Sequence, residues 1–344
     1  ATRLALLLFF LFAFNLSRGI SSCAWLPWIT SLVPVSIRGK YLARDAAFVN
    51  VGSFLTLLIS AICLGEKPRP WQFTLLFAFS AIMGATSLIF LKRIPEGETQ
   101  AQIRESTTRV PWREIARYAP FRKLLFMLAG WSLASGGLNV FTIAFLKTET
   151  GLAVGKILFL SSTAFLGGLS SLWFLGARLD KLGSKPILTF SFFTYLIILL
   201  GWIGLAGGVF RPMVLLLLLI QFLTGLSAAL ISMANTRLAM AIIPAMGRNH
   251  FFALYSVIGS LTLGLSPILW GLFIDLTGPI HFVATGISWN RYSIFFAAVA
   301  LAFCVAIFLA VKLEEPEAAS MEELLREILI QTPQRVWIRL WPRE

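Results

Sequence analysis

The stretch VLLLLLIQFLTGLSAALISMANTRLAMAII, residues 214–243, decides the fold class. Its first charged residue is Arg237, and the run before Arg237 is as long as the ~20 apolar residues that cross a hydrocarbon layer as a helix. A helix of this composition is stable in lipid, where its backbone bonds are satisfied internally. The stretch therefore predicts a membrane-spanning helix.

Comparable stretches recur along the whole chain. The protein is 58% hydrophobic and 13% charged, and its mean hydropathy is +0.82, a balance that no soluble core could absorb. We predict an all-α polytopic membrane protein whose partner is the lipid bilayer. Its nine transmembrane helices are predicted at residues 4–33, 46–64, 71–91, 124–146, 157–175, 187–207, 214–243, 251–276 and 292–311.

The charge and cysteine patterns exclude several classes of function. The net charge is +13, but the basic residues lie between apolar runs rather than in one patch with aromatics, so no nucleic-acid partner is predicted. Cys23, Cys63 and Cys304 fall inside apolar runs without metal-ligand spacing, and His250 and His281 lie in unrelated segments. We predict no metal and no cofactor. Because paired acids and a Ser/His arrangement are missing from the pattern, no enzyme is predicted either.

Residues 4–43 and 214–253 match each other at a constant offset of 210. In both, a Pro follows the apolar run, an Arg follows four residues later, and another apolar segment comes next. The matching pairs include Ser17 with Ser227, Ser22 with Ser232, Pro34 with Pro244 and Arg38 with Arg248. Internal duplication is typical of secondary transporters. We expect two six-helix halves with the first three helices absent, leaving 3 + 6; a signal peptide is the alternative for residues 4–33.

The distribution of Lys and Arg predicts the topology and the parts of the chain. If the first segment runs from outside to inside, 21 of the 29 basic residues lie on the inner side and seven on the outer side, as the positive-inside rule requires. The predicted parts are the remainder of an N-terminal bundle, a cytoplasmic linker, a C-terminal six-helix bundle and a cytoplasmic tail, at residues 1–91, 92–123, 124–312 and 313–344.

Two amphipathic segments are expected outside the spans. The second half of the linker mixes aromatic and basic residues behind a Pro, which is typical of a short interfacial helix, although a plain solvated linker explains it equally well. In the tail, Ser320 and Glu323 form a capping-box pattern before apolar residues, which predicts an amphipathic helix.

The sharpest local motif is the short loop GARLDKLGSKP, residues 176–186, on the basic side. Its pattern is a Gly, three residues, an Asp, a Lys, one residue, a Gly, one residue and a Lys. These positions are Gly176, Asp180, Lys181, Gly183 and Lys185. Glycines permit a tight reversal and the cations hold the loop inside. The loop resembles the inter-helix motif of the major facilitator superfamily, in which the Asp helps to hold the two halves in one conformation.

A second pair of loops carries the same resemblance. PVSIRGKYLARD, residues 34–45, and PAMGRNHFF, residues 244–252, have the same Pro-to-Arg spacing, with Arg38 and Arg248 in equivalent positions. They are similar to the family's paired inner loops between the fourth and fifth helices of each half. The resemblance implies two six-helix bundles and secondary transport.

Polar stripes on three segments are the candidates for a substrate pathway. Arg18 is the charge deepest in an apolar run, and Asn15 and Ser22 share its face. A charge there costs about 3 kcal/mol on insertion scales, so Arg18 is expected to face protein or water. A role in substrate or proton coupling and a structural ion pair are equally open.

Two further stripes lie in the second half of the chain. They consist of Ser132, Ser135 and Asn139 with Gly136, and of Gln221, Ser232 and Asn235 with Gly225. Both could line a central cavity, although close helix packing is the commoner reason for such residues. The almost wholly apolar segments 71–91, 187–207 and 292–311 are expected to face lipid.

The resulting hypothesis is a secondary active transporter that moves a small solute by alternating access, coupled to protons or another ion. A bacterial-type inner membrane is expected, with the linker and the tail in the cytoplasm. The alternative is a non-transporting membrane scaffold or assembly factor of the same fold, whose cavity would be plugged by side chains.

Overall fold

The computed structural model describes residues 35–94, 117–175, 183–243 and 248–313, with isolated positions in 1–33 and at 323–324. Some predictions fall outside these residues. They concern Asn15, Arg18, Ser22, Gly176, Asp180 and Lys181, most of the first segment, most of the linker and most of the tail.

Within the described residues the chain is built from helices of membrane-spanning length. The helices are α1 (Val35–Leu64), α2 (Pro70–Leu91), α3 (Ala119–Gly136), α4 (Leu138–Thr148), α5 (Val154–Leu175), α6 (Ser184–Ala206), α7 (Val214–Ile242), α8 (Arg248–Thr277) and α9 (Arg291–Val311). Eight spans are long and apolar enough to cross a membrane, since α3 and α4 together form one. This confirms the polytopic helical fold, while the count of nine stays a prediction.

The predicted inner loops are shorter than expected. α1 begins at Val35 rather than near Ala46, so Arg38 is helical, and Arg248 is the first residue of α8. Both arginines are therefore helical but precede the membrane spans, which begin at Arg44 and His250, and their pairing on the inner side stays a prediction. The physical reason is that the polar residues between Val35 and Ala46 include good helix formers and no proline, so the helix continues past the apolar boundary.

The core of the described residues lies in α3 to α9. Its centre is an aromatic cluster in which the ring of Trp131 lies 5.7 Å from Phe192, 5.4 Å from Tyr195 and 5.7 Å from Phe303. These rings join α3, α6 and α9, and their edge-to-face and tilted arrangements are the favourable ones for aromatic pairs. The cluster fixes the six spans as one packed unit.

Apolar composition did not separate lipid-facing from buried helices. None of the residues of α2 is buried, as expected for a lipid-facing helix. By contrast, half of the span in α6 is buried in protein, and a third of the span in α9. The expectation that segments 187–207 and 292–311 face lipid was therefore wrong for much of their surfaces.

α5 lies between α1 and α7 and packs closely on both. A Cβ added to Gly225 of α7 would overlap the carbonyl oxygen of Ala164 in α5, and one added to Gly155 of α5 would lie 2.5 Å from the carbonyl oxygen of Gly65. Small residues allow helix backbones to approach to this distance in lipid. α5 therefore connects α1 to the helices that follow the linker.

A small β-hairpin, which the all-α prediction did not include, joins α8 to α9. Its strands are β1 (Phe282–Ala284) and β2 (Ile287–Trp289), paired antiparallel. The turn residues Thr285 and Gly286 have φ of 53° and 76°, as a two-residue hairpin turn of type I′ requires. The backbone N–H of Ser288 donates to the carbonyl of Gly207 at 2.9 Å, which ties the hairpin to the end of α6.

Candidate functional site

The site begins with a break in the span Ala119–Thr148. α3 ends at Gly136 and α4 starts at Leu138. The N–H of Gly137, which a continuous helix would donate to Leu133, points to the carbonyl of Ser135 instead. The Leu133 carbonyl accepts from the Ser266 hydroxyl, at 2.7 Å. Broken helices are tolerated in membranes where a neighbouring helix satisfies the freed backbone groups.

The neighbouring helix α8 is irregular at the same level. Pro267 lies inside α8 and supplies no N–H to the preceding turn. A Cβ added to Gly136 would lie 2.6 Å from the Cβ of Ser266 and 3.0 Å from the carbonyl oxygen of Leu263. The absence of a side chain at Gly136 is therefore what lets α3 approach α8 at this point.

Beyond the break, α4 borders a cavity of about 250 Å³. The cavity lies between α1 on one side and α4, α5, α6 and α7 on the other. Its lining combines apolar and uncharged polar side chains: Leu57, Leu138, Asn139, Thr142, Ile143, Ser161, Ala164, Phe165, Trp202, Gln221 and Thr224. A mostly apolar wall with a few polar groups is typical of small-molecule sites.

The polar groups of the cavity come chiefly from two helices at helical spacing. α4 contributes Asn139 and Thr142, and α7 contributes Gln221 and Thr224, each pair three residues apart and hence on one face. Thr142 is only 5% exposed and its hydroxyl has no hydrogen-bond partner. The hydroxyl oxygen itself is buried, so it is the remainder of the Thr142 side chain that borders the cavity.

α1 and α5 are in contact at the ends that the charge bias predicts to lie outside. The backbone N–H of Gly155 donates to the carbonyl of Gly65 at 3.1 Å. Beside it, Lys156 Nζ lies 3.3 Å from Glu66 Oε1, and both side chains are largely exposed. Gln221 lies about 10 Å along α7 from its first residue, so the cavity is in the outer half of the span.

The structure brings two of the predicted pathway residues together. Asn139 and Gln221 line the cavity, but the other described candidates do not. Ser132 is buried, Ser135 donates to the carbonyl of Trp131 at 2.8 Å, and Ser232 is exposed.

Asn235 is 5% exposed and its Oδ1 has no partner. It lies more than two helical turns along α7 from Thr224, the nearest lining residue of that helix. Sequence reasoning missed Thr142, Ser161 and Thr224. Thr142 and Thr224 could have been found, because they stand three residues after Asn139 and Gln221, respectively.

Two residues of the loop motif are described. Gly183 has φ of 81° and directly precedes α6, and Lys185 is the second residue of that helix. A φ in this range is rare for residues with a side chain. The requirement for glycine at the end of the loop therefore has a conformational cause.

Acidic residues are peripheral in the described part of the chain. The carboxylate of Glu149, at the end of α4, accepts a hydrogen bond from Arg291 at 2.8 Å, and Asp275 is exposed. Asp45 at the inner side of α1 is partly buried. The described residues contain no group of three acids, histidines or cysteines that could hold a metal ion.

Comparisons with known proteins give one finding about the family. A family model described as the Major Facilitator Superfamily matches residues 1–219 and 174–341 in two overlapping parts. No curated protein sequence matches the chain.

Proposed function

The chain belongs to the Major Facilitator Superfamily, a family of membrane transporters, and from this premise we propose that it moves a small solute by alternating access through the described cavity. The pathway residues are Asn139, Thr142, Gln221 and Thr224. The linker and the tail lie in the cytoplasm, and the membrane is a bacterial-type inner membrane.

One observation carries this proposal. The cavity is bordered by α1, which precedes the linker, and by four helices that follow it. A site between two bundles is exposed to one side or the other when the bundles rock against each other. The volume of about 250 Å³ also supports transport over a scaffold function, for which a plugged cavity was expected.

The driving force in this proposal is an ion gradient. Among the described residues, none of the buried ones is an Asp or a Glu. A proton-carrying role therefore falls to Asp45, which is partly buried at the inner side of α1, or to the stripe around Arg18. An intramembrane ionisable residue is a functional candidate by default because of its cost.

Flux across proteoliposomes tests the proposal directly. The full chain is reconstituted, a mixed panel of small solutes is supplied outside, and uptake is measured with and without a proton gradient. Gln221→Leu removes the amide from the cavity wall and is expected to abolish uptake. Ser232→Ala, an exposed position of the same helix, is the matched control and should retain it.

The two outcomes separate transporter from scaffold. Gradient-driven uptake that is lost in Gln221→Leu and kept in Ser232→Ala supports the proposal, and Arg18→Ala reports whether the stripe takes part in coupling. Absence of uptake for every solute, together with stable copurification of another membrane complex, would favour the scaffold.

A further inference from the structure

We propose that the solute is uncharged and small, and that it carries hydroxyl or amide groups beside hydrocarbon or ring surface. This inference rests on the proposed transport function and specifies the substrate class of the same cavity. It comes from three properties of the described lining: its charge, its hydrogen-bonding groups and its volume.

The described lining carries no formal charge. Its polar members are Asn139, Thr142, Ser161, Gln221 and Thr224, and the remaining described members are apolar or aromatic. A charged solute that enters such a site loses hydration without gaining an ion pair, which costs several kcal/mol. An uncharged solute loses only hydrogen bonds to water, and the wall can replace them.

The hydrogen-bonding groups are of mixed type. The amides of Asn139 and Gln221 each present donors and an acceptor. Thr224 donates its hydroxyl hydrogen to the carbonyl of Ile220 at 2.8 Å, so only its lone pairs remain for a solute. Hydroxyl and amide groups match this set because each can donate and accept.

The wall places polar and apolar groups beside each other. α4 and α7 supply four of the five polar groups, and α4 also contributes the apolar Leu138 and Ile143. Most of the remaining wall is apolar, through Leu57, Ala164 and Phe165, and Trp202, which is stacked on Phe296 at 5.6 Å, adds an aromatic edge. A solute that carries hydrogen-bonding groups beside hydrocarbon or ring surface would satisfy this mixed wall.

The volume limits the size of the solute. About 250 Å³ lies at or below the lower end of typical ligand pockets. A single sugar ring, a short polyol or an aromatic amide is of the right size.

A defined mixture of small solutes tests the substrate class. Proteoliposomes of the full chain receive equal concentrations of neutral solutes (hexoses, pentitols, nicotinamide), anionic ones (gluconate, nicotinate, phosphate) and cationic ones (glucosamine, 1-methylnicotinamide). Accumulated solutes are then identified by mass spectrometry. Accumulation of neutral members above their charged counterparts is expected.

Variants connect the selectivity to this cavity. Asn139→Leu keeps the approximate size of the side chain but removes the amide, and should lower uptake of the neutral solute about threefold to tenfold, the value of one hydrogen bond. Gln221→Glu places a carboxylate in the wall and should shift the preference toward cationic members. Thr236→Val, whose hydroxyl bonds the carbonyl of Ser232 away from the cavity, is the control and should leave uptake unchanged.

Three outcomes would overturn different parts of the proposal. Preferential accumulation of an anionic member that depends on Arg18, or of a cationic member by the unaltered protein, overturns the neutral class while leaving transport intact. Accumulation of no member overturns both this inference and the transport proposal. Neutral uptake that Asn139→Leu and Gln221→Glu do not change overturns the assignment to this cavity.

Discussion

The indole N–H of Trp270 in α8 donates to the backbone carbonyl of Leu133 in α3 at 2.7 Å, at the point where the span Ala119–Thr148 is broken. The hydroxyl of Ser266 donates to the same carbonyl at 2.7 Å. A carbonyl oxygen has two lone pairs, so both donors can be accommodated. The orientation of α4, and with it the cavity wall, depends on this pair of bonds.

Removal of either donor should therefore destabilise the protein modestly, and removal of both should cost more than the sum. Trp270→Phe and Ser266→Ala each lose one bond, worth about 0.5–1.5 kcal/mol, whereas the double variant leaves the Leu133 carbonyl without a side-chain donor. Thermal unfolding in detergent measures the three variants. Trp71→Phe, at an exposed ring of α2, is the control, and strictly additive losses would contradict the shared-acceptor interpretation.

Close packing of α5 on α7 predicts a strong effect of one methyl group. In Gly225→Ala the new Cβ would overlap the carbonyl oxygen of Ala164, so the two helices must separate. We expect a loss of about 1–3 kcal/mol and weaker transport, because Ala164 lines the cavity. Gly84→Ala is the matched control, since nothing lies within 4 Å of its added Cβ. Equal unfolding temperatures of the two variants would exclude the close approach.

The apolar runs predicted the membrane-spanning elements well because their signal is local. Length and composition alone give the spans in α2, α5 and α7 within a few residues. Length and composition do not show whether lipid or protein surrounds a helix, because lipid and protein interiors are equally apolar. For that reason α2 and α6 looked alike in sequence, although no residue of α2 is buried and half of the span in α6 is.

The site was predicted only in part because it depends on how helices meet. Asn139 and Gln221 were found as members of polar stripes, but Ser132 and Ser232 belong to the same stripes and lie away from the cavity. Gly137 interrupts the helix between Ser132 and Asn139, and of these two residues Asn139 lines the cavity. The hairpin turn at Thr285 was missed because Thr is an uncommon residue at positive φ.

The contact between the ends of α1 and α5 predicts that a covalent link between these ends stops transport. The bond from Gly155 N–H to the Gly65 carbonyl places the next residues, Glu66 and Lys156, side by side. In a background without native cysteines, Glu66→Cys combined with Lys156→Cys should form a disulfide on oxidation. Because alternating access requires this end to open, uptake should fall to background and recover with a reducing agent.

The single variant Glu66→Cys, oxidised in the same way, is the control and should transport normally. The ion pair itself is exposed and worth at most about 1 kcal/mol, so its loss alone should not explain an effect. Full uptake by protein shown to be cross-linked would mean that the outer end does not open between these two helices.

Asn290 should stabilise the junction of the hairpin with α6 and α9 through two separable interactions. Its Oδ1 accepts from the backbone N–H groups of Tyr292 and Ser293 at the start of α9, and its Nδ2 donates to the carbonyl of Ala206 at 2.7 Å. Asn290→Ala removes both and should cost about 1–2 kcal/mol in thermal unfolding. Asn290→Asp keeps the acceptor oxygen of the cap but places a carboxylate oxygen against the Ala206 carbonyl, so its loss of stability should come from the contact with Ala206.

Hydrogen exchange distinguishes the two contributions of Asn290. Loss of the cap should raise exchange at the N–H groups of Tyr292 and Ser293, whereas loss of the bond to Ala206 should release the hairpin and raise exchange at Ser288, whose N–H donates to Gly207. Asn290→Asp is therefore expected to raise exchange at Ser288 alone. Increased exchange at the start of α9 in Asn290→Asp would show that the amide group, rather than the acceptor oxygen, stabilises the helix end.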